Sequence, residues 1–148
     1  MKTVFDAATR NELETRIHSL TAQSQALWGK MNVAQMLKHC ALCDDMFFGT
    51  LTIKRVFIGR LIGPMVLRKI LSGKVAIRKN SPTSPSLTST ISSEETEQQK
   101  KQWLSSLSRY EHYTHSGFIH PFFGRMTVEQ VGQLAYQHAD HHLRQFGV

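Results

Sequence analysis

The chain has 148 residues, 41% of them hydrophobic and 20% charged, a balance that suits a soluble globular domain and excludes a disordered or fibrous chain. Its formal charge is +7, and Cys40 and Cys43 are too few for a disulfide framework. The opening MKTVFDAATRNELE lacks the apolar run of a secretory signal. The longest apolar region, Ile53 to Leu71, is interrupted by Lys54, Arg55, Arg60, Pro64, Arg68 and Lys69. These features predict one cytoplasmic domain over residues 1–148, with no membrane partner.

The first predicted helix begins near Asp6 or Thr9 and runs to about Gln23, with Leu13, Ile17 and Leu20 as its apolar stripe. Arg10, Glu12, Glu14 and Arg16 are expected to be solvated, and His18 to lie at the surface beside the stripe. The connection LWGKM carries Trp28, expected to plug one end of the core. Asn32 as N-cap and Gln35 three residues later open a second helix that runs to about Phe48, before Gly49. Its inward stripe is Met36, His39, Cys43 and Met46 or Phe47, so a coordinating side chain stands in an apolar seam. Cys40 and Cys43 form a Cys-x-x-Cys pair, but inside a helix and without the preceding strand of a redox motif. Core thiols are the expectation, with Cys43 as an extra metal neighbour the alternative.

Leu51 to Gly73 reads as one or two helical pieces broken at Gly63-Pro64, and KNSPTSPSLTSTISS as a loop that could extend over the site. No acidic residue occurs between Asp45 and Glu94, while Lys54, Arg55, Arg60, Arg68, Lys69, Lys74, Arg78 and Lys79 all do. No aromatic interleaving or nucleic-acid motif accompanies this block, so an anionic small molecule or solubility is expected and nucleic acid is not. Ser92 with Glu95 caps a third long helix to about Tyr110, with Trp103, Leu104 and Leu107 on its buried face. His112, His115 and His120 fall in the connection that follows and are expected to be exposed rather than ligands.

Thr127 and Gln130 form a capping box for a last helix that ends near Gly147. Val128, Val131, Leu134, Ala135, His138, His142 and Phe146 share one arc, with His141 and Gln145 at its edge. His138 and His142, one turn apart, can hold one divalent ion, and His39 completes a three-histidine set from two helices. The alternative is that these rings hydrogen-bond to other groups of the core. On the far side Gly132, Tyr136, Ala139 and Leu143 form a second apolar strip, open to the crossover segment or to a second copy in a homodimer. The expected architecture is all-α, four main helices around one core.

HPFFGRMTVEQVGQLAYQHADHHLRQFG, with LWGKMNVAQMLKHC and NSPTSPSL, resembles the DinB-like superfamily of metal-binding four-helix bundles, and within it an uncharacterised bacterial subfamily. The resemblance implies a bundle with a long crossover connection. It also implies a divalent metal, zinc or nickel, held by His39, His138 and His142, the adjacent His141 being the competitor for the last position. Relatives include thiol-dependent S-transferases and a maleylpyruvate isomerase, and members often form homodimers. The implied function is a metal-dependent enzyme that transfers a low-molecular-weight thiol to a small-molecule electrophile. Arg60 or Arg68 are expected to hold the thiol's carboxylates. The alternative is a metal-binding or stress-related bundle without turnover.

Overall fold

Capping chemistry sets where the helices begin. Asn32 Oδ1 accepts from Gln35 N at 2.8 Å while Gln35 Oε1 accepts from Asn32 N at 2.9 Å, and Thr127 and Gln130 repeat the exchange at 3.2 and 3.0 Å. In the computed structural model, which describes residues 1–148, the helices are α1 Ala7–Ser19, α2 Val33–Phe47, α3 Phe57–Leu71, α4 Thr96–Ser108 and α5 Val128–Gln145. The only strands are the antiparallel two-residue pair β1 Ile119–His120 and β2 Gly124–Arg125, so the fold is all-α. Helices α4 and α5 each pack on both α1 and α2, which closes a four-helix bundle. Helix α3 lies outside it, against α5 and β2, within the long crossover from α2 to α4. No helix is long and apolar enough to cross a membrane.

The apolar stripes meet in one core. Leu13, Ile17 and Leu20 are fully buried with Val33, Met36, Leu37, Trp103, Leu107, Val131 and Leu143. Helix α1 stops at Ser19, short of Gln23, because Leu20 adopts extended backbone to reach the core and the Lys100 ammonium takes the carbonyls of His18 and Leu20 at 3.1 and 2.9 Å. A lysine from another helix thereby satisfies carbonyls that α1 leaves unpaired. The Ser92–Glu95 box is present too, but it opens a 3₁₀ turn, Ser93–Glu95, ahead of α4.

Three expectations change. Arg10 is buried, not solvated: the N-terminal segment folds back so that its guanidinium donates to the carbonyls of Val4 at 3.0 Å and Phe5 at 2.8 Å. That same segment covers the second strip of α5, where Val4 N donates to Gly132 O at 3.2 Å and Thr3 and Phe5 lie directly on Gly132. Tyr136, Ala139 and Leu143 are buried within the chain, so neither the crossover nor a second copy is needed to cover them. Finally, α3 runs unbroken through Pro64, whose ring sits on the exposed side, where solvent can meet the carbonyl it leaves unpaired. Gly59 and Gly63 lay the other side of α3 flat on the backbone of Phe122, where any side chain would collide.

A buried polar knot ties α2 to α4. Asp44 Oδ1 accepts from the Tyr110 hydroxyl at 2.8 Å and Oδ2 from Trp103 Nε1 at 3.1 Å. Desolvation pushes the Asp44 carboxyl up to about 7, and the two donors pull against that rise. Replacing Asp44 with Ala strands two buried donors, each costing on the order of 1–3 kcal/mol less what the relieved carboxylate returns. We therefore expect Asp44→Ala to lower unfolding free energy by about 2 kcal/mol in urea titration, and Asp44→Asn, which keeps one acceptor, to lose less.

Candidate metal centre

Helices α2 and α5 are neighbours in the bundle, and their stripes place three imidazoles at one point of the seam. Ligand nitrogens of His39, His138 and His142 all lie within 4.8 Å of one another. The ring centroids of His39 and His138 are 5.0 Å apart, those of His39 and His142 4.8 Å, and those of His138 and His142 4.6 Å. His39 and His142 are buried and His138 is half-buried. His141 is not one of the three, although its ring stands 5.1 Å from that of His142 as well as edge-on to the Trp28 ring at 5.8 Å.

Partners behind the rings decide which nitrogen carries the proton. The Leu87 carbonyl can only accept, so at 2.9 Å it takes a hydrogen from His39 Nδ1 and leaves His39 Nε2 as a lone pair. Gln145 Nε2 donates to the Trp28 carbonyl at 2.7 Å, which turns Gln145 Oε1 toward His142 Nδ1 at 2.8 Å and leaves His142 Nε2 as a second lone pair. His138 Nε2 lies 3.1 Å from His39 Nε2. Two nitrogens sharing one tetrahedral ion stand about 3.3 Å apart, so the His39–His138 pair is spaced for a common cation. An all-nitrogen set without carboxylate suits zinc, nickel, copper or iron rather than magnesium or calcium.

Electrostatics point the same way. Burial lowers the pKa of His39; burial, then the charges of His142 and His39, lower that of His138 well below the usual value. Burial with the neighbouring His39 brings His142 down to about 3. All three are therefore neutral near pH 7, the form a metal requires. Cys43 Sγ lies 3.7 Å from His39 Nε2, beside the cluster. Both cysteines are buried and free, and desolvation raises each thiol well above its ordinary value, so they are inert core thiols rather than a redox pair.

The remaining sequence candidates divide. His18, His112 and His115 are exposed. His120 is not: it packs on Phe123 at 4.5 Å, its Nδ1 accepts from Phe122 N and Phe123 N at 3.0 and 3.2 Å, and burial brings it to about 3. The tight hairpin between β1 and β2 turns both amides onto its ring, which no helical periodicity could show. Arg60 is exposed, and Arg68 borders a separate groove with Phe123, Arg125 and Gln130 that includes none of the three histidines. Lys79 has its ammonium 4.0 Å over the Trp28 ring, and its charge acts on His141. Sequence reasoning missed Leu87 and Lys79. Its one usable signal for the second sphere was Gln145, a turn beyond His142 on the edge of the same arc.

These features define a helical bundle with a three-histidine centre built between two of its helices. The chain belongs to the family described as a protein of unknown function, DUF1569, whose model matches residues 4–147, and this family falls in the DinB-like superfamily. No curated protein and no solved structure matches the chain.

The lowered histidines give a pH signature. Unfolded, each binds a proton below about 6.5; folded, His120 and His142 do so only near 3, so their contribution is lost as pH falls from 6.5 toward 3. Asp44 runs oppositely: raised to about 7, it favours folding below the unfolded carboxyl value of about 3.9, and that advantage disappears as pH rises through 7. Several histidines outweigh one carboxyl. In the presence of chelator, urea titrations should show stability lower at about pH 5.5 than at about pH 7.5, by at least on the order of 1 kcal/mol. Replacing His142 with Gln should shrink that difference.

Proposed function

We propose that the protein is a divalent-metal-dependent enzyme of the DinB-like type that transfers a low-molecular-weight thiol to a small electrophile. The observation that carries the metal is the convergence of neutral imidazoles whose lone pairs are aimed inward by Leu87 and Gln145. His39, His138 and His142 would hold the ion. Bound there, a divalent cation supplies the Lewis acidity that keeps a thiol as thiolate at neutral pH. The thiol proton passes to solvent, a sulfur–carbon bond forms at the electrophile, and the leaving group departs with the electrons of the broken bond. Lys79, held over Trp28 and acting on His141, is our candidate to fix a carboxylate of the thiol substrate, in place of Arg60 or Arg68. The thiol-transfer reading itself rests on the superfamily.

A metal-binding bundle without turnover is the second reading, favoured by the enclosure of the site: His39 is 5% and His142 8% exposed. Elemental analysis and a turnover screen of glutathione-like thiols against model electrophiles separate the two. Ala at His39, His138 or His142 should cut metal content to about a tenth or less, while Ala at His141 leaves it near stoichiometric. Ala at Gln145 should weaken metal binding by roughly 10–100-fold without removing a ligand. Full metal content in all three ligand variants would remove the centre. Stoichiometric metal with no thiol consumption across the screen would leave only the second reading.

A further inference from the structure

Helix α3 is inverted relative to a core helix. Its inward residues are Gly59, Gly63, Leu67 and Ile70, whereas Phe57, Ile58, Leu61, Ile62 and Met65 are 74%, 49%, 67%, 38% and 51% exposed. At ~100° per residue these five side chains occupy one continuous arc opposite the glycines, so they form a single apolar face. Both ends of that face are basic. Lys54 and Arg55 precede it, and Arg68 and Lys69 continue the same arc in the last turn. All four cations are exposed and none takes part in an ion pair; the stretch from Asp45 to Glu94 has no acidic residue between its ends, and Glu129 borders the groove beside Arg68 without pairing with it.

Charge decides what can cover this face. A second copy across a two-fold axis sets Arg68 and Lys69 either on themselves or on Lys54 and Arg55, and each arrangement meets like charge with like. A nucleic acid would answer the cations but leave Phe57 and Leu61 in water. An anionic lipid surface answers both, with apolar side chains entering the headgroup boundary and lysines and arginines remaining among phosphates. We infer that α3 is an in-plane docking element that seats the protein on anionic phospholipid. The sequence, read for membrane spans alone, predicts no membrane partner; this contact spans nothing and is independent of the metal centre.

Co-sedimentation of the purified full chain with unilamellar phosphatidylcholine vesicles, with and without about one-third phosphatidylglycerol, tests the inference. Binding should be at least about tenfold stronger to the anionic vesicles and should weaken as salt is raised. The double change Phe57→Ser, Leu61→Ser should reduce it by about tenfold or more with an unchanged thermal melt, since both side chains are exposed. Arg68→Gln with Lys69→Gln should reduce it several-fold. No binding to anionic vesicles at low salt would overturn the inference, as would wild-type binding by the apolar double variant. Sedimentation equilibrium showing a dimer that Leu61→Ser splits would assign the face to a second copy instead.

Discussion

The arrangement depends on one crowded juxtaposition: three uncharged imidazoles in a water-poor seam, with the lone pairs of His39 and His142 turned inward by Leu87 and Gln145. The Nε2 atoms of His39 and His138, 3.1 Å apart, need either a shared proton or a shared cation. Net protonation is opposed by burial at all three rings and by neighbouring rings at His138 and His142. A neutral His138 that donates from Nε2 meets that need, a bound cation would meet it in the proton's place, and much of the surrounding structure holds the three rings together.

Helix α2 shows how. One side of it presents His39 to α5, and another presents Asp44 to α4 and the turn after it, where Trp103 and Tyr110 fix both carboxylate oxygens. The helix is thus located by polar groups on two sides, not by apolar packing alone, and it has little freedom to slide or rotate. Helix α5 is held comparably: Arg16 of α1 reaches Asp140 at 2.9 Å and the Val148 carbonyl at 2.9 Å, and the N-terminal segment lies on Gly132. Candidate ligands set on two restrained helices have their spacing fixed by the fold.

Helical periodicity carried much of this. Capping boxes at Asn32 and Thr127, the stripe through Met36, His39 and Cys43, and the arc through His138 and His142 are all local patterns, and each lies where its spacing puts it apart from Val128, which is exposed at the start of the arc. What local pattern cannot contain is a partner distant in the chain. The burial of Arg10, the carbonyl of Leu87 behind His39, and Lys79 over Trp28 all come from segments meeting after the helices have packed. Pro64 misleads for the related reason that a proline's cost depends on which side of the helix faces water.

The Leu87 carbonyl has a consequence beyond orienting a ring. Leu87 belongs to the stretch between α3 and α4, which has only short 3₁₀ turns of its own, and its bond to His39 joins the crossover to the centre through one hydrogen atom. That hydrogen is on Nδ1 because the carbonyl is there, and Nε2 is open because the hydrogen is elsewhere. Crossover position and ion affinity are therefore thermodynamically reciprocal. Whatever pulls residues 85–87 from α2 would weaken the hold on any ion bound at Nε2, and such an ion would draw the crossover closed by the same free energy.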